Sequence, residues 1–186
     1  MHHIVGICFA IPLSGDLKLE TEIKSQILNQ RDSLLIDIDR FIKRDSDFVN
    51  SALTSEFTAI PISVFFDNKI ISYSFVIYSY FSGGAHPVMI FYSYNYDILK
   101  QKHLNFDDYF ILNSKSDTTY FTDLITKAID KEGIVMTRIK NQDFNIEKDT
   151  ISFNFGDYEI GGYADGIMQG RIKKSILNDK INKSYH

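Results

Sequence analysis

The chain has no Trp, a single Cys and only three Pro in 186 residues. One cysteine, Cys8, excludes an internal disulfide framework and any multi-cysteine metal site. A membrane helix needs about 20 consecutive apolar residues, and no run in this sequence approaches that length. Ile4 to Leu13 has the size of a signal-peptide core, but His2 and His3 precede it where Lys or Arg belongs, so it reads as a buried first strand. A concentrated basic face is also missing. Lys and Arg number 20 against 24 Asp and Glu, a net charge of −4, and the longest basic cluster, Arg171, Lys173 and Lys174, is interrupted. That balance argues against a nucleic-acid binder.

The common catalytic signatures are missing too. The five histidines, His2, His3, His86, His103 and His186, show no His-x-x-x-His spacing, so no metal or cofactor is expected. Neither Gly-x-Ser-x-Gly nor a phosphate loop occurs. Cys8 lies in an apolar strand, which raises a thiol pKa and blunts it as a nucleophile.

What the chain does have is aromatic residues, 15 Phe and 11 Tyr, against an ordinary background of 44% hydrophobic and 24% charged residues. Phe and Tyr suit half-buried, pleated strands. With a length that suits one domain, the expectation is a single α+β domain over residues 1–186: a twisted antiparallel sheet with two main helices packed on one face. An N-terminal strand and long helix would occupy about 4–56, and the sheet with a second helix about 57–176.

Apolar residues at Ile23, Ile27, Leu34, Ile38, Phe41 and Ile42 predict an amphipathic helix from about Leu17 to Lys43, with Asp16 as its cap. From Phe57 the period becomes two. Strands are expected over Phe57–Asp67, where Pro61 suggests an edge or bulge, Ile70–Phe81 and Val88–Asp97, forming an antiparallel meander. In the second of these, Ile71, Tyr73, Phe75 and Ile77 share one face, and Ser72 and Ser74 point the other way. Leu104 to Phe110 reads as a short helical turn. A second helix, capped by Ser116 or Asp117 and stopped by Gly133, runs to about Lys131. Strands near Phe144–Glu147, Thr150–Phe155 and Ile167–Ile172 close the pattern.

Two segments stand apart as candidates for function. Ser82-Gly83-Gly84-Ala85-His86-Pro87 joins two aromatic strands, and Gly156 to Gly166 carries Asp157, Tyr158, Glu159, Tyr163 and Asp165 among four glycines. Glycines there serve tight turns. A functional reading has both loops at one end of the sheet, presenting His86, Tyr158 and Tyr163 to a partner, since aromatic residues on rigid turns give contact area at low entropy cost. Asp107 and Asp108 read as capping and surface residues.

The run Ser82 to Pro87, followed by Tyr94-Asn95-Tyr96-Asp97, Leu104 to Phe110, Phe153-Asn154-Phe155 and Tyr158-Glu159-Ile160-Gly161-Gly162-Tyr163-Ala164-Asp165-Gly166, resembles a bacterial cell-envelope domain of unknown function. It is similar to the C-terminal, lysozyme-binding domain of lysozyme-sensing anti-sigma factors, which is also found with peptidoglycan deacetylases. Ile11-Pro12-Leu13-Ser14-Gly15 and the long helix are similar to the half that precedes it. Gly162 and Asp165 stand where many relatives carry Pro and a small residue.

The resemblance implies an exported, non-catalytic α+β module, periplasmic or held in the envelope, that binds a lysozyme-like protein or a cell-wall glycan. The residues that would meet the partner are Ser82, Gly83, Gly84, His86 and Pro87, together with Asp157, Tyr158, Glu159 and Tyr163. Two other readings stand beside it. One is a cell-wall sugar hydrolase or deacetylase using Asp157, Glu159 or Asp165. The other is a structural interaction domain that uses the sheet edge near Pro61.

Overall fold

A computed structural model describes residues 4–9, 15, 17–44, 54–82, 84–131, 133–134, 136 and 143–185. The fold is α+β. Strand β1 (Ile4–Phe9) is followed by helix α1 (Leu17–Arg44) and strands β2 (Thr54–Phe66), β3 (Ile70–Tyr80), β4 (Val88–Asp97) and β5 (Lys102–His103). Helices α2 (Phe106–Tyr109) and α3 (Lys115–Ile129) precede β6 (Phe144–Ile146), β7 (Thr150–Phe155) and β8 (Met168–Lys173). The strands form two sheets: a five-stranded one in the order β1-β2-β3-β4-β5 and a three-stranded one in the order β6-β7-β8. In the larger sheet β1 runs parallel to β2, and the smaller sheet is antiparallel throughout. The capping residue expected at Asp16, and Ala10 to Leu13 of the expected first strand, lie outside the described residues.

The chain divides into two compact units: Met1–Pro61 with Val76–Met89, and Ile62–Phe75 with Ile90–His186. In the first, α1 buries Leu19, Ile23, Ile27 and Ile38, a spacing of nearly whole turns that defines one apolar face. Phe81, at the end of β3, packs edge-on against Phe41 of α1 with ring centroids 4.7 Å apart.

The second unit is built on aromatic rings. Phe106, Tyr109, Phe110, Phe121, Phe144 and Phe153 form one buried group. Neighbouring ring centroids lie 4.7 Å apart for Phe106 and Phe110, 4.9 Å for Phe110 and Phe121, and 5.7 Å for Phe121 and Phe153, mostly edge-to-face. Such offset geometries add to the burial of area itself. Helix α3 lies on β8 at Gly170, where an added Cβ would stand 3.2 Å from the Ile125 carbonyl oxygen.

Two local readings of the sequence change. Helix α3 is capped by Ser114, not Ser116 or Asp117. The Ser114 hydroxyl accepts the Asp117 amide at 3.1 Å, and the Asp117 carboxylate returns a bond to the Ser114 amide, also at 3.1 Å, a reciprocal box that satisfies two orphan donors. The helix ends at Asp130, in the left-handed conformation with φ 50°, ahead of Gly133. Strand β3 is buried on both faces from Ile70 to Ile77, so the face of Ser72 and Ser74 is interior as well.

The C-terminal segment is tied down by polar bonds. Tyr185 donates its hydroxyl to Asp97 Oδ2 at 2.7 Å, and Lys100 Nζ bonds the same tyrosine oxygen at 2.8 Å. Asp97 is buried, which opposes its charge, yet the bonds from Tyr185 and Lys100 hold its carboxyl below the usual range. Removing the hydroxyl with Tyr185→Phe takes a donor from a buried carboxylate. The expected cost is about 1–3 kcal/mol, read as a lower urea midpoint at unchanged slope; an unchanged midpoint would show that the tail does not contribute to stability.

Candidate functional site

The glycine-rich loop between β7 and β8 belongs to the second unit and is held by polar bonds. Asp165 Oδ2 accepts the Gly162 amide at 2.7 Å and Asp165 Oδ1 lies 2.8 Å from Lys131 Nζ. The Lys131 ammonium and the Gly162 amide hold that carboxyl below its ordinary pKa. Gly161 leaves room for its neighbours: an added Cβ would stand 2.7 Å from both Asp165 Oδ2 and Met168 Cε, side-chain ends that would have to shift. On this frame Tyr158 is 57% exposed and adopts a positive φ of 66°, a conformation that costs energy in a residue with a side chain. Its ring stacks on Tyr163, with centroids 6.1 Å apart and planes 29° from parallel. Asp157 is buried and Glu159 lies at the surface.

The loop Ser82 to Pro87 belongs to the first unit. The Gly84 amide donates to the Phe81 carbonyl at 2.8 Å, and the Ser82 amide donates to Ser55 Oγ at 3.1 Å. His86 Nδ1 lies 3.0 Å from the Pro87 carbonyl oxygen. A carbonyl only accepts, so this contact places the proton on Nδ1. Gly83 lies outside the described residues. Of the expected partner-binding residues, Asp157, Tyr158, Glu159 and Tyr163 share one loop, while Ser82, Gly84, His86 and Pro87 belong to the other unit. Pro61 is exposed on β2, beyond the Thr54 to Ala59 stretch that pairs with β1.

A carboxyl that sequence reasoning missed lies close to the glycine-rich loop. Asp143, immediately before β6, accepts the Ser93 amide on Oδ1 at 3.2 Å, while Oδ2 is buried with no hydrogen-bond partner among the described residues. Burial pushes the Asp143 carboxyl up to about 8, the Ser93 hydroxyl and amide opposing and the Glu159 charge adding to the rise. Desolvation raises Glu159 as well, and Tyr92 is raised by burial and then by both carboxylates. Asp143 therefore joins the loop electrostatically to β4. In sequence it is one aspartate among many before a short strand, and no local pattern marks it.

Asp143 also forms part of the wall of a cleft of about 480 Å3, with Ser93, Asn95, His103, Asn105, Asp107 and Phe144 among the other lining residues. Asp108, across this cleft, accepts the Asn105 amide at 3.2 Å and Lys102 Nζ at 2.8 Å. The capping and surface role expected of it is the one it has.

No family model matches the chain. It is similar to the peptidoglycan-N-acetylmuramic acid deacetylase PdaC of Bacillus subtilis (strain 168), 30% identical over 141 residues, which take in 64% of this chain and 29% of that protein. The chain thus spans under a third of the length of that curated relative. Among solved structures, a DUF3298 family member from Bacteroides fragilis superposes with a TM-score of 0.59 at 18% identity, over 87% of this chain and 68% of that one. A DUF3298 family protein from Pseudomonas aeruginosa PAO1 gives 0.52 at 16% identity, over 75% and 68%. The chain shares the fold of these proteins. Among the described residues no helix is long and apolar enough to cross a membrane.

Asp143 carries a testable consequence for stability. An ordinary aspartate titrates near about 3.9, and in the folded state this one titrates at about 8. Below pH ~4 the carboxyl is protonated in both states and no penalty arises. Between the two values the unfolded chain releases the proton and the folded one keeps it, so the folded state loses relative stability as pH rises; above about 8 the deficit is constant. Asp143→Asn is accordingly expected to melt higher than the parent at pH 8, with the gap closing towards pH 5. A gap that is constant or that widens on acidification would contradict this.

Proposed function

We propose that the chain is a non-catalytic binding module of the bacterial cell envelope that recognises a lysozyme-like muramidase or the peptidoglycan itself. The observation that carries this reading is the exposed ring of Tyr158 stacked on the half-buried Tyr163, on a loop fixed by Asp165 and Lys131. Rigid aromatic residues at a surface lose little entropy on binding and make strong anchors. The similarity to a protein named for peptidoglycan supports the cell-wall setting and an exported location. The net charge of −4 favours encounter with a basic muramidase, because complementary charge speeds association. In this proposal Asp157 and Glu159 flank the tyrosine anchors, and the loop Ser82 to Pro87, with Gly83, Gly84 and His86, is a second contact surface.

A second reading, hydrolysis or deacetylation of cell-wall sugar, draws on Asp143, whose carboxyl is pushed up to about 8, and on Glu159, raised by desolvation, since a raised carboxyl suits general acid–base work. Asp165 does not fit that role, because its carboxylate is engaged by Lys131 and Gly162.

Calorimetric titration against a basic lysozyme and against soluble muropeptides distinguishes these readings. We expect heat with one of them, and a loss of at least about tenfold in affinity for Tyr158→Ala, the scale of an interface anchor. His86→Ala should weaken the same complex to a smaller extent. Absence of heat with both partners rules the binding module out. Release of acetate or of new reducing ends, abolished by Glu159→Gln, would establish the enzyme instead.

A further inference from the structure

One end of the second unit gathers three turns, the end of β8 and the C-terminal segment, and the contacts that join them are explicit. The Ile98 amide donates to the Lys69 carbonyl at 2.9 Å, which ties the β4–β5 turn to the β2–β3 turn. Lys69 Nζ donates to the Ser184 carbonyl at 3.2 Å. Lys174, directly after β8, sets its ammonium 4.8 Å from the centre of the Phe65 ring, and its amide donates to the Asp149 carbonyl of the β6–β7 turn at 2.9 Å. Phe66 and Leu99 stand beside two of these turns. They are 68% and 76% exposed, the highest values for large apolar side chains among the described residues, and Ile176, just past β8, is exposed as well.

The charge of this end is opposite to that of the chain. Residues 66–70, 97–102, 147–149, 171–176 and 182–185 hold eight Lys and Arg against four Asp and Glu, where the whole chain has 20 against 24. Three of the four acids are engaged internally. Asp67 Oδ1 accepts the amides of Lys69 and Ile70, both at 2.7 Å. Asp97 is buried against Tyr185 and Lys100, and Glu147 accepts the hydroxyls of Thr150 and Ser152, both at 2.6 Å. Lys148, Lys173 and Lys183 are exposed. Exposed apolar side chains flanked by lysines match an interface in which acyl chains lie beneath anionic headgroups. A soluble polyanion would use the lysines and leave Phe66 and Leu99 in water.

We propose that this end of the second unit docks on an anionic phospholipid bilayer, with Phe66 and Leu99 entering the headgroup layer and Lys148, Lys173 and Lys183 meeting the lipid phosphates. Strand β7 sets the sense of the arrangement. Its first residue, Thr150, follows the turn of Lys148 and pairs with Lys173, and its last, Phe155, pairs with Met168 beside the glycine-rich loop. The six residues of β7, about 20 Å at ~3.3 Å each, therefore separate the lysines from the loop of Tyr158. Docked by this end, the module holds its tyrosines away from the bilayer. The docking itself does not depend on what those tyrosines bind.

The experiment is co-sedimentation of the whole chain with vesicles of phosphatidylglycerol and phosphatidylcholine in equal parts, set against vesicles of phosphatidylcholine alone. Binding to the mixed vesicles should be at least about tenfold tighter and should weaken as salt is raised, because screening shortens the reach of the lysines. Lys148→Glu with Lys183→Glu should weaken it at least about tenfold. Phe66→Ser with Leu99→Ser should weaken it by at least about as much, since binding follows the apolar area buried in the interface. Both double variants change exposed side chains and should melt like the parent, so lost binding reports on the surface and not on folding. Tyr158→Ala should leave vesicle binding unchanged even where lysozyme binding is lost, so the two proposals fail separately. No binding to the mixed vesicles, or equal binding to both kinds, would overturn the assignment. So would parent-like binding by the Phe66 and Leu99 variant, the mark of a site for a soluble polyanion.

Discussion

One buried hydroxyl sets the arrangement of the second unit. Ser72 Oγ lies 2.6 Å from Asn95 Oδ1 and 2.9 Å from Asn145 Oδ1, and accepts the Ile146 amide at 2.8 Å. Asn95 in turn donates to the Phe144 carbonyl at 2.8 Å. Three strands, β3, β4 and β6, are thus joined by groups with no water to fall back on. A buried polar group that loses its partner costs more than the bond itself contributes, so β6 has one acceptable register against its neighbours. The position of Asp143 beside Ser93 follows directly, because it is the residue before β6. The cleft and the coupling to Glu159 are downstream of that register.

The aromatic excess and the polar hub do different work. The ring group around Phe110, Phe121, Phe144 and Phe153 supplies burial, which is generous and tolerant of small shifts. The hub around Ser72 supplies direction, which is neither. A core of rings alone would hold the smaller sheet near the larger one without fixing which residue faces which. Phe144 belongs to both, as a ring in the apolar group and as the carbonyl that Asn95 reads.

The sequence was most legible where a single period governs a long segment. Helix α1 and strand β4 fall almost where periodicity puts them, because one face of each must be apolar and nothing competes. The cap of α3 lies two residues before Ser116 and three before Asp117, since all three are acceptable caps and only the geometry of the preceding turn decides. Strand β3 keeps the expected alternation of serines against large apolar residues, and what periodicity does not show is that the serine face is buried too, with Ser72 bonded to Asn95 and Asn145. Of the candidate site, the glycine-rich loop and its tyrosines were visible as composition. Asp143 was invisible, because its character comes from neighbours up to 50 residues away in the chain.

The loop that carries Tyr158 takes its shape from residues other than its tyrosines. Asp165 and Lys131 hold the turn, and Gly161 leaves room for the Asp165 carboxylate. If the loop is the recognition surface proposed above, it can be retuned through its supports: a change at Asp165 or Lys131 would re-aim the same pair of rings while the rings themselves stay unchanged. Modules that share the tyrosines would then differ in preference through the residues that hold them.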